Sequence, residues 1–306
     1  MRLCQFQVPG AGRRVGVVDG DVVSDVTAPR DGVGSVLDLI VRGRTAAGVE
    51  RLARRLAGGR ACRRYAWRDL DCAPGRGRPG LLAPLDPPEV WGAGITYRRS
   101  AEYYSKHESG HTGRVRGIYD HVYHSERPEL FFKATAGRSA GPYAPVGLRG
   151  DSTLTAVEAE LACVIGAGGR IVGYTVGNDL SAWDIERENA LFLPQSKIFT
   201  GSFAFGPVVA TPTTVPDPHA LTIRCVIERG GRRVYEGAAN TRDLKRPVDE
   251  LVAWLVRYNP VPPGTVLSTG TGILVPDEHA LQPGDLVTIT IEPIGTLRNP
   301  VRRLPR

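Results

Sequence analysis

The sequence predicts a mostly β fold of the α+β class, with a small α+β N-terminal domain ahead of it. Two observations carry that expectation. From Val90 onward, short apolar runs recur between Gly and Pro signals, which is how strands and their turns are punctuated. Helical periodicity is confined to a few short stretches, two of them before residue 60. At 306 residues the chain can bury a full core, and its length suits one large domain with a smaller one, or two comparable domains.

In chain order, residues 1–30 alternate short β-like runs, and Val15 to Val23 reads as a hairpin turning at Asp19-Gly20. Val36, Leu37, Leu39 and Ile40, then Val49, Leu52 and Leu56 beyond the Gly43 break, mark two short amphipathic helices laced with Arg. The Pro/Gly-rich passage 73–88 reads as a linker and places a domain boundary near residue 85, giving domains 1–85 and 86–306. Strands are expected at 90–94, 129–133, 157–165, 170–178, 206–210, 220–228, 265–269 and 286–292. Helices are expected at 100–106, at 249–258 with Val252, Leu255 and Val256 on one face, and over a short stretch at 185–190. Segment 106–128, rich in Gly, His and Arg, has no clean period and is a candidate lid.

The formal charge of +7 is local. Residues 1–80 hold fifteen Arg, no Lys and eight acids, so the rest of the chain is balanced. No zinc-finger spacing, aromatic-studded basic strand or helix-turn-helix pattern accompanies that basicity, and it reads as a solvated face rather than a nucleic-acid site. Five scattered Cys without a Cys-x-x-Cys pair argue against a disulfide framework or zinc ribbon and fit a reducing cytoplasm. No signal pattern opens the chain and no eighteen apolar residues run together, so no membrane partner is expected.

Lysine occurs four times against thirty-five Arg, and Lys133 and Lys197 sit in apolar stretches. A buried Lys can shed its proton, whereas Arg cannot, so these two are functional candidates. Glu158-Ala159-Glu160 would place two carboxylates on one strand face roughly 7 Å apart. Alternation along 157–165 equally fits an amphipathic strand with both glutamates in water. Ala162 and Val164 continue the glutamate face, however, as at the mouth of a pocket. After Ile171 to Gly177 a hairpin partner would return Asp179 towards Glu158, and three carboxylates suit a hard divalent cation with open water positions. His107 with His111, and His121 with His124, offer a competing helical zinc site that Gly110, Gly113 and Gly117 weaken. No Walker loop, dinucleotide fingerprint or Gly-x-Ser-x-Gly elbow is present.

Five ordered motifs resemble the fumarylacetoacetate hydrolase superfamily over residues 88–306. They are Glu158-Ala159-Glu160, Asn178-Asp179-Leu180-Ser181, Lys197, Thr269-Gly270-Thr271, and Gly295-Thr296-Leu297-Arg298-Asn299-Pro300-Val301. The resemblance implies that superfamily's mixed β-roll or sandwich, a homodimer, and Glu158, Glu160 and Asp179 as ligands of Mg²⁺ or Mn²⁺. Within it the chain looks closest to the 2-keto-3-deoxy-D-arabinonate dehydratase branch, through Arg127 to Lys133, Gly147 to Ser152, Ile185 to Asn189 and Leu193 to Ile198. Where the C–C hydrolases and decarboxylases carry His-x-x-Glu, this chain has Ser100 and Tyr103, so the water-activating dyad is missing.

The implied reaction is metal-assisted dehydration of a 2-keto-3-deoxy acid or similar 2-oxo acid, the cation acidifying the C3 proton through the keto oxygen. Lys197 would be base or enolate stabiliser, and Glu186 would protonate the leaving hydroxyl. Thr271 and Gln195 would orient substrate oxygens, Lys133 or Arg98 would bind a carboxylate or hydroxyl, and Ser100 would face the substrate. The alternative is tautomerisation, decarboxylation or C–C cleavage on the same metal site, with His121 or His124 as base.

Overall fold

The protein is described here from a computed structural model, which covers residues 1–59, 62–107 and 117–305. Two large sheets, a two-stranded ribbon of Thr155–Ala156 with Ser181–Ala182, and a helical layer make up the architecture among the described residues. The larger sheet runs in the order Arg64–Ala66, Val22–Asp25, Gly12–Asp19, Arg2–Val8, Phe203–Ala210, Ile171–Asp179, Ala159–Ile165, Thr265–Ser268, Val90–Gly94 and Glu129–Ala134. Arg2 pairs with Ala210, so one sheet runs through both halves of the chain. The smaller sheet runs Arg232–Asn240, Thr222–Arg229, Leu286–Ile291, Gly295–Arg303 and Val146–Leu148.

Alternation along the strands explains the layering. In Ala159–Ile165 the odd residues Leu161, Cys163 and Ile165 join Ile223, Cys225, Val287 and Ile289 of the smaller sheet in one buried core. The even residues Ala162 and Val164 point the other way, into a second core under helices Val36–Gly43 and Ala46–Ala57, with Leu39, Ile40 and Val49. Period-2 side chains on a sheet covered on both faces require this division. Both helices begin as their sequence asks: Ser35 accepts from the Asp38 amide and Thr45 from that of Gly48, satisfying N–H groups the first turn leaves free.

All eight expected strands are present within a few residues, as are the three expected helices, observed at Arg98–His107, Trp183–Glu188 and Val248–Val256. The hairpin turns at Gly20, whose φ of 53° is left-handed, with Asp19 opposite Val22. Within the candidate lid, residues 108–116 lie outside the described residues and Ile118–His124 is a helix. Among the described residues no helix is long and apolar enough to cross a membrane.

Candidate active site

The register of two strands builds the carboxylate cluster. Ala159 lies opposite Asn178 and Glu160 opposite Gly177, and the Asp179 amide donates to the Glu158 carbonyl at 2.9 Å. The strand ends therefore bring Glu158, Glu160 and Asp179 together, all buried, with ligand oxygens within 4.8 Å of one another. Among the described residues this is the one group of three or more His, Cys, Asp or Glu so placed.

Each carboxylate is held differently. Glu158 Oε1 accepts from the Tyr104 hydroxyl at 3.0 Å and the Trp183 indole at 2.9 Å, and Oε2 accepts from Lys197 Nζ at 3.0 Å. Glu160 Oε2 accepts from Ser268 Oγ at 2.5 Å and the Gly270 amide at 2.8 Å. That last bond needs a glycine: Gly270 has φ 91°, and a Cβ there would run into Thr96 Oγ1 and the Ala93 carbonyl. Asp179 sits between two ammonium groups, Lys133 at 2.6 Å and Lys197 at 3.4 Å.

With all three carboxyls ionised, the two lysines would leave the cluster one positive charge short. Burial raises the Glu160 carboxyl well above the usual carboxylate range, with Asp179 and Glu158 adding to the shift, so it keeps its proton. Glu158 is also pushed up by burial, but Lys197 and the Trp183 and Ser181 hydrogen bonds more than reverse this and hold it low. Burial would lower Lys197, yet Asp179, Glu158, Glu186 and Glu160 raise it well above its ordinary value, and it remains an ammonium. Two lysines thus serve three carboxyl groups. A hard divalent cation fits this donor set: the oxygens are carboxylate, closely grouped, and short of one positive partner. Glu158, Glu160 and Asp179 would hold it.

Above the cluster opens a narrow cleft lined by Glu158 and Lys197 together with Ser100, Glu129, Phe131, Glu186 and Thr271 among others. Burial pushes the Glu186 carboxyl up to about 7 against the pull of Lys197, while Glu158, Glu129 and Asp179 add to the rise. Burial raises Glu129 as well, opposed by Lys197. Glu129 begins strand Glu129–Ala134 opposite Gly94, where a side chain would collide with its carboxyl. Sequence reasoning did not single out Glu129; its place at the head of a strand, among apolar residues and ahead of Lys133, was the available signal.

Not every expected substrate contact reaches the cleft. Lys133 is fully buried behind Asp179, donating to the Leu180 and Lys197 carbonyls at 2.7 and 2.6 Å, and burial lowers it to about 8 despite Asp179. Gln195 is exposed, because the short helix Leu193–Lys197 turns Ser196 and Lys197 inward instead. Arg98 is exposed and pairs with Glu102 at 2.9 Å, lining a separate surface cavity. Ser100 and Thr271 do line the cleft, but their hydroxyls are engaged: Ser100 donates to the Thr271 carbonyl, and Thr271 to the Ala159 carbonyl. His121 and His124 sit on Ile118–His124 away from the cleft lining, with His124 beside Asp120 at 3.4 Å. The His107 and His111 pair depends on residues outside the described ones.

A buried three-carboxylate centre at the end of a two-sheet sandwich defines a class of metal-dependent enzyme fold. Residues 89–302 match the fumarylacetoacetate hydrolase C-terminal family, and the chain belongs to that family. It is 46% identical over 225 residues to the 2-dehydro-3-deoxy-D-arabinonate dehydratase of Saccharolobus solfataricus, covering 73% of this chain and 74% of that one. To the probable 2-keto-3-deoxyxylonate dehydratase of Haloferax volcanii it is 45% identical over 218 residues, 71% of this chain and 73% of the relative. The solved structure of a 2-keto-3-deoxy-D-arabinonate dehydratase complexed with magnesium and 2,5-dioxopentanoate aligns over the whole of both chains, with a TM-score of 0.82 and 34% identity.

Proposed function

We propose that this chain is a divalent-metal-dependent dehydratase, a hydro-lyase that removes water from a 2-keto-3-deoxy sugar acid or a closely similar 2-oxo acid, with Mg²⁺ or Mn²⁺ as cofactor. The observation that carries the reading is a group of three carboxylates that reaches the cleft through Glu158, beside two further carboxyls in its wall, Glu129 and Glu186, both raised by burial. The dehydratase relatives and the magnesium complex support the same reading. When bound, the cation supplies Lewis acidity that makes a proton next to the 2-keto group easier to remove.

The chain's own residues then divide the work of β-elimination. Glu129 takes the C3 proton, and Glu186, protonated up to about pH 7, gives its proton to the departing C4 hydroxyl. Lys197 is an ammonium rather than a base and stabilises negative charge developing beside Glu158 and Asp179. Lys133 supports Asp179 from behind. Phe131 and Leu193 line the cleft and help keep water from it. Ser100 and Tyr103 hold the Thr271 carbonyl and the Asp277 carboxylate, so neither is arranged to activate water for hydrolysis. A homodimer and a cytoplasmic setting belong to this proposal; the five unbridged cysteines are consistent with a reducing compartment.

The test is a screen of 2-keto-3-deoxy acids with Mg²⁺ or Mn²⁺, with product followed by mass. Loss of one water is expected, whereas loss of CO₂, fragmentation or an unchanged mass sinks the dehydratase reading. Exchange of the C3 hydrogen with deuterated solvent assigns the two carboxyls. Glu186→Gln should keep exchange while losing elimination, and Glu129→Gln should lose both.

A further inference from the structure

Glu158 differs from its two neighbours in that a single oxygen, Oε1, serves two aromatic donors, the Tyr104 hydroxyl at 3.0 Å and the Trp183 indole at 2.9 Å. Two donors saturate the lone pairs of a carboxylate oxygen, which leaves Oε2 as the atom Glu158 can offer to a cation. The donors come from different elements. Tyr104 lies in helix Arg98–His107, and Trp183 opens the helix Trp183–Glu188, which also carries Glu186. Their rings meet edge to face at 5.6 Å, and Arg187 lies over Trp183 at 5.2 Å while its guanidinium grips Asp277 through two bonds of 2.6 and 2.9 Å. Two helices are therefore braced against one carboxylate oxygen, and Arg187 ties the second of them to Asp277.

We infer that Tyr104 is a positioning residue: with Trp183 it fixes Glu158 as a one-oxygen ligand, through Oε2, and couples helix Arg98–His107 to occupancy of the divalent-cation site. The inference rests on the metal site of the proposed function. A hydroxyl donated to an ionised carboxylate is charge-assisted and directional, so it sets the carboxylate plane as well as its charge. Coupling of this kind is reciprocal: whatever the helix contributes to the ligand's geometry, the cation returns to the helix. Tyr104 also lines the cleft, and its action on the cation site passes through Glu158 Oε1.

Full-length protein is titrated with Mg²⁺, and separately with Mn²⁺, by calorimetry, and hydrogen exchange in Arg98–His107 is read with and without cation. Tyr104→Phe keeps the ring contacts with Trp183 and with Tyr119 at 5.2 Å and removes only the hydroxyl. It should weaken cation binding about tenfold, the scale for losing an outer partner of a metal ligand. It should also abolish cation-induced protection in the helix, while the metal-free protein stays folded with a melting temperature lowered by a few degrees, as for one lost hydrogen bond to a buried charge. Trp183→Phe should weaken binding similarly while leaving that protection in place, because the Tyr104 hydroxyl remains. Affinity of Tyr104→Phe close to wild type, or protection that survives in it, overturns the inference. Should Tyr104→Phe not fold, unchanged affinity in Trp183→Phe overturns it instead. Wild-type protein that binds neither cation refutes the metal site itself, an outcome distinct from wild-type binding that the variants leave intact.

Discussion

Strand Ala159–Ile165 carries two regions built by opposite rules. Its Ala162 and Val164 pack with Leu39, Ile40 and Val49 in an apolar cluster under the N-terminal helices, and the buried polar groups of that half, Gln5 and Glu50, are hydrogen-bonded. On the same face, Glu160 and then Glu158 enter the carboxylate cluster, where Asp179, Lys133 and Lys197 are also buried. An apolar side chain contributes its own burial, whoever its neighbours are. A buried charge contributes only through its partners, so the carboxylate floor stands or falls as a unit.

Asp179→Asn breaks that unit hardest. It removes a ligand oxygen's charge and strands Lys133, fully buried and ion-paired with Asp179, and half the partnership of Lys197. Loss of activity is expected, together with destabilisation of about 3–5 kcal/mol by urea unfolding, the scale for one uncompensated buried charge. Replacing Lys133 as well, by Met, should restore much of that stability without restoring activity. On the apolar side, Leu39→Ala should cost about 2–5 kcal/mol for lost burial plus a cavity, yet leave the Mg²⁺ dissociation constant unchanged. A Leu39→Ala protein with altered Mg²⁺ affinity would show that the two regions are not independent.

Cation binding sharpens the contrast from the other side. Burial, with Asp179 and Glu158 beside it, raises the Glu160 carboxyl well above the usual carboxylate range, so Mg²⁺ binding should release a proton from it. Calorimetry in two buffers of different ionisation enthalpy counts it, and Glu160→Gln should abolish the release. At a Mg²⁺ concentration one hundred times the dissociation constant the protein should gain about 2.7 kcal/mol of stability.

Glu186 gives a smaller, pH-dependent effect. Its folded pKa of about 7 lies above the unfolded value of 4.5, so between these the native state holds a proton that the unfolded chain has lost. Stability in metal-free protein should therefore fall as pH rises from about 4.5 to 7, and Glu186→Gln should flatten that limb. Bound Mg²⁺ should lower the Glu186 midpoint, since a cation beside Glu158 offsets the repulsion that helps raise it; the carboxyl infrared band follows this directly.

How much was legible beforehand follows the same division. Apolar periodicity located strand 90–94 to the residue and found both N-terminal helices, because alternation and the 3.6 period are what a covered sheet and its helices require. The triad was legible too, since Glu158, Glu160 and Asp179 lie on adjacent strands joined by a short connection. Strand Arg232–Asn240 escaped notice: it is a sheet edge, mostly half-buried or exposed, with charged residues and no apolar face. Gly295–Arg303 was read as a motif rather than a strand, and Pro300 hides its period. Lys133, Gln195 and Arg98 show the limit for site residues. Which of them meets substrate depends on long-range placement, and sequence reports a lysine in an apolar run without saying whether it faces a cleft or the back of a carboxylate.

The smallest expected effect closes the scale. Arg13 and Asp86 form an ion pair on the surface, both more than a third exposed, in the Arg-rich half of the chain. Their charges are already well solvated, and holding two side chains in one geometry costs entropy that the weak attraction barely offsets. Arg13→Ala should change unfolding free energy by less than about 1 kcal/mol, and less still at high salt. Set beside Asp179→Asn, it separates charge from burial: both substitutions remove one member of an ion pair, and only the one whose partner cannot reach water should be costly. Equal losses for the two in urea would mean that burial is not what makes the carboxylate floor cooperative.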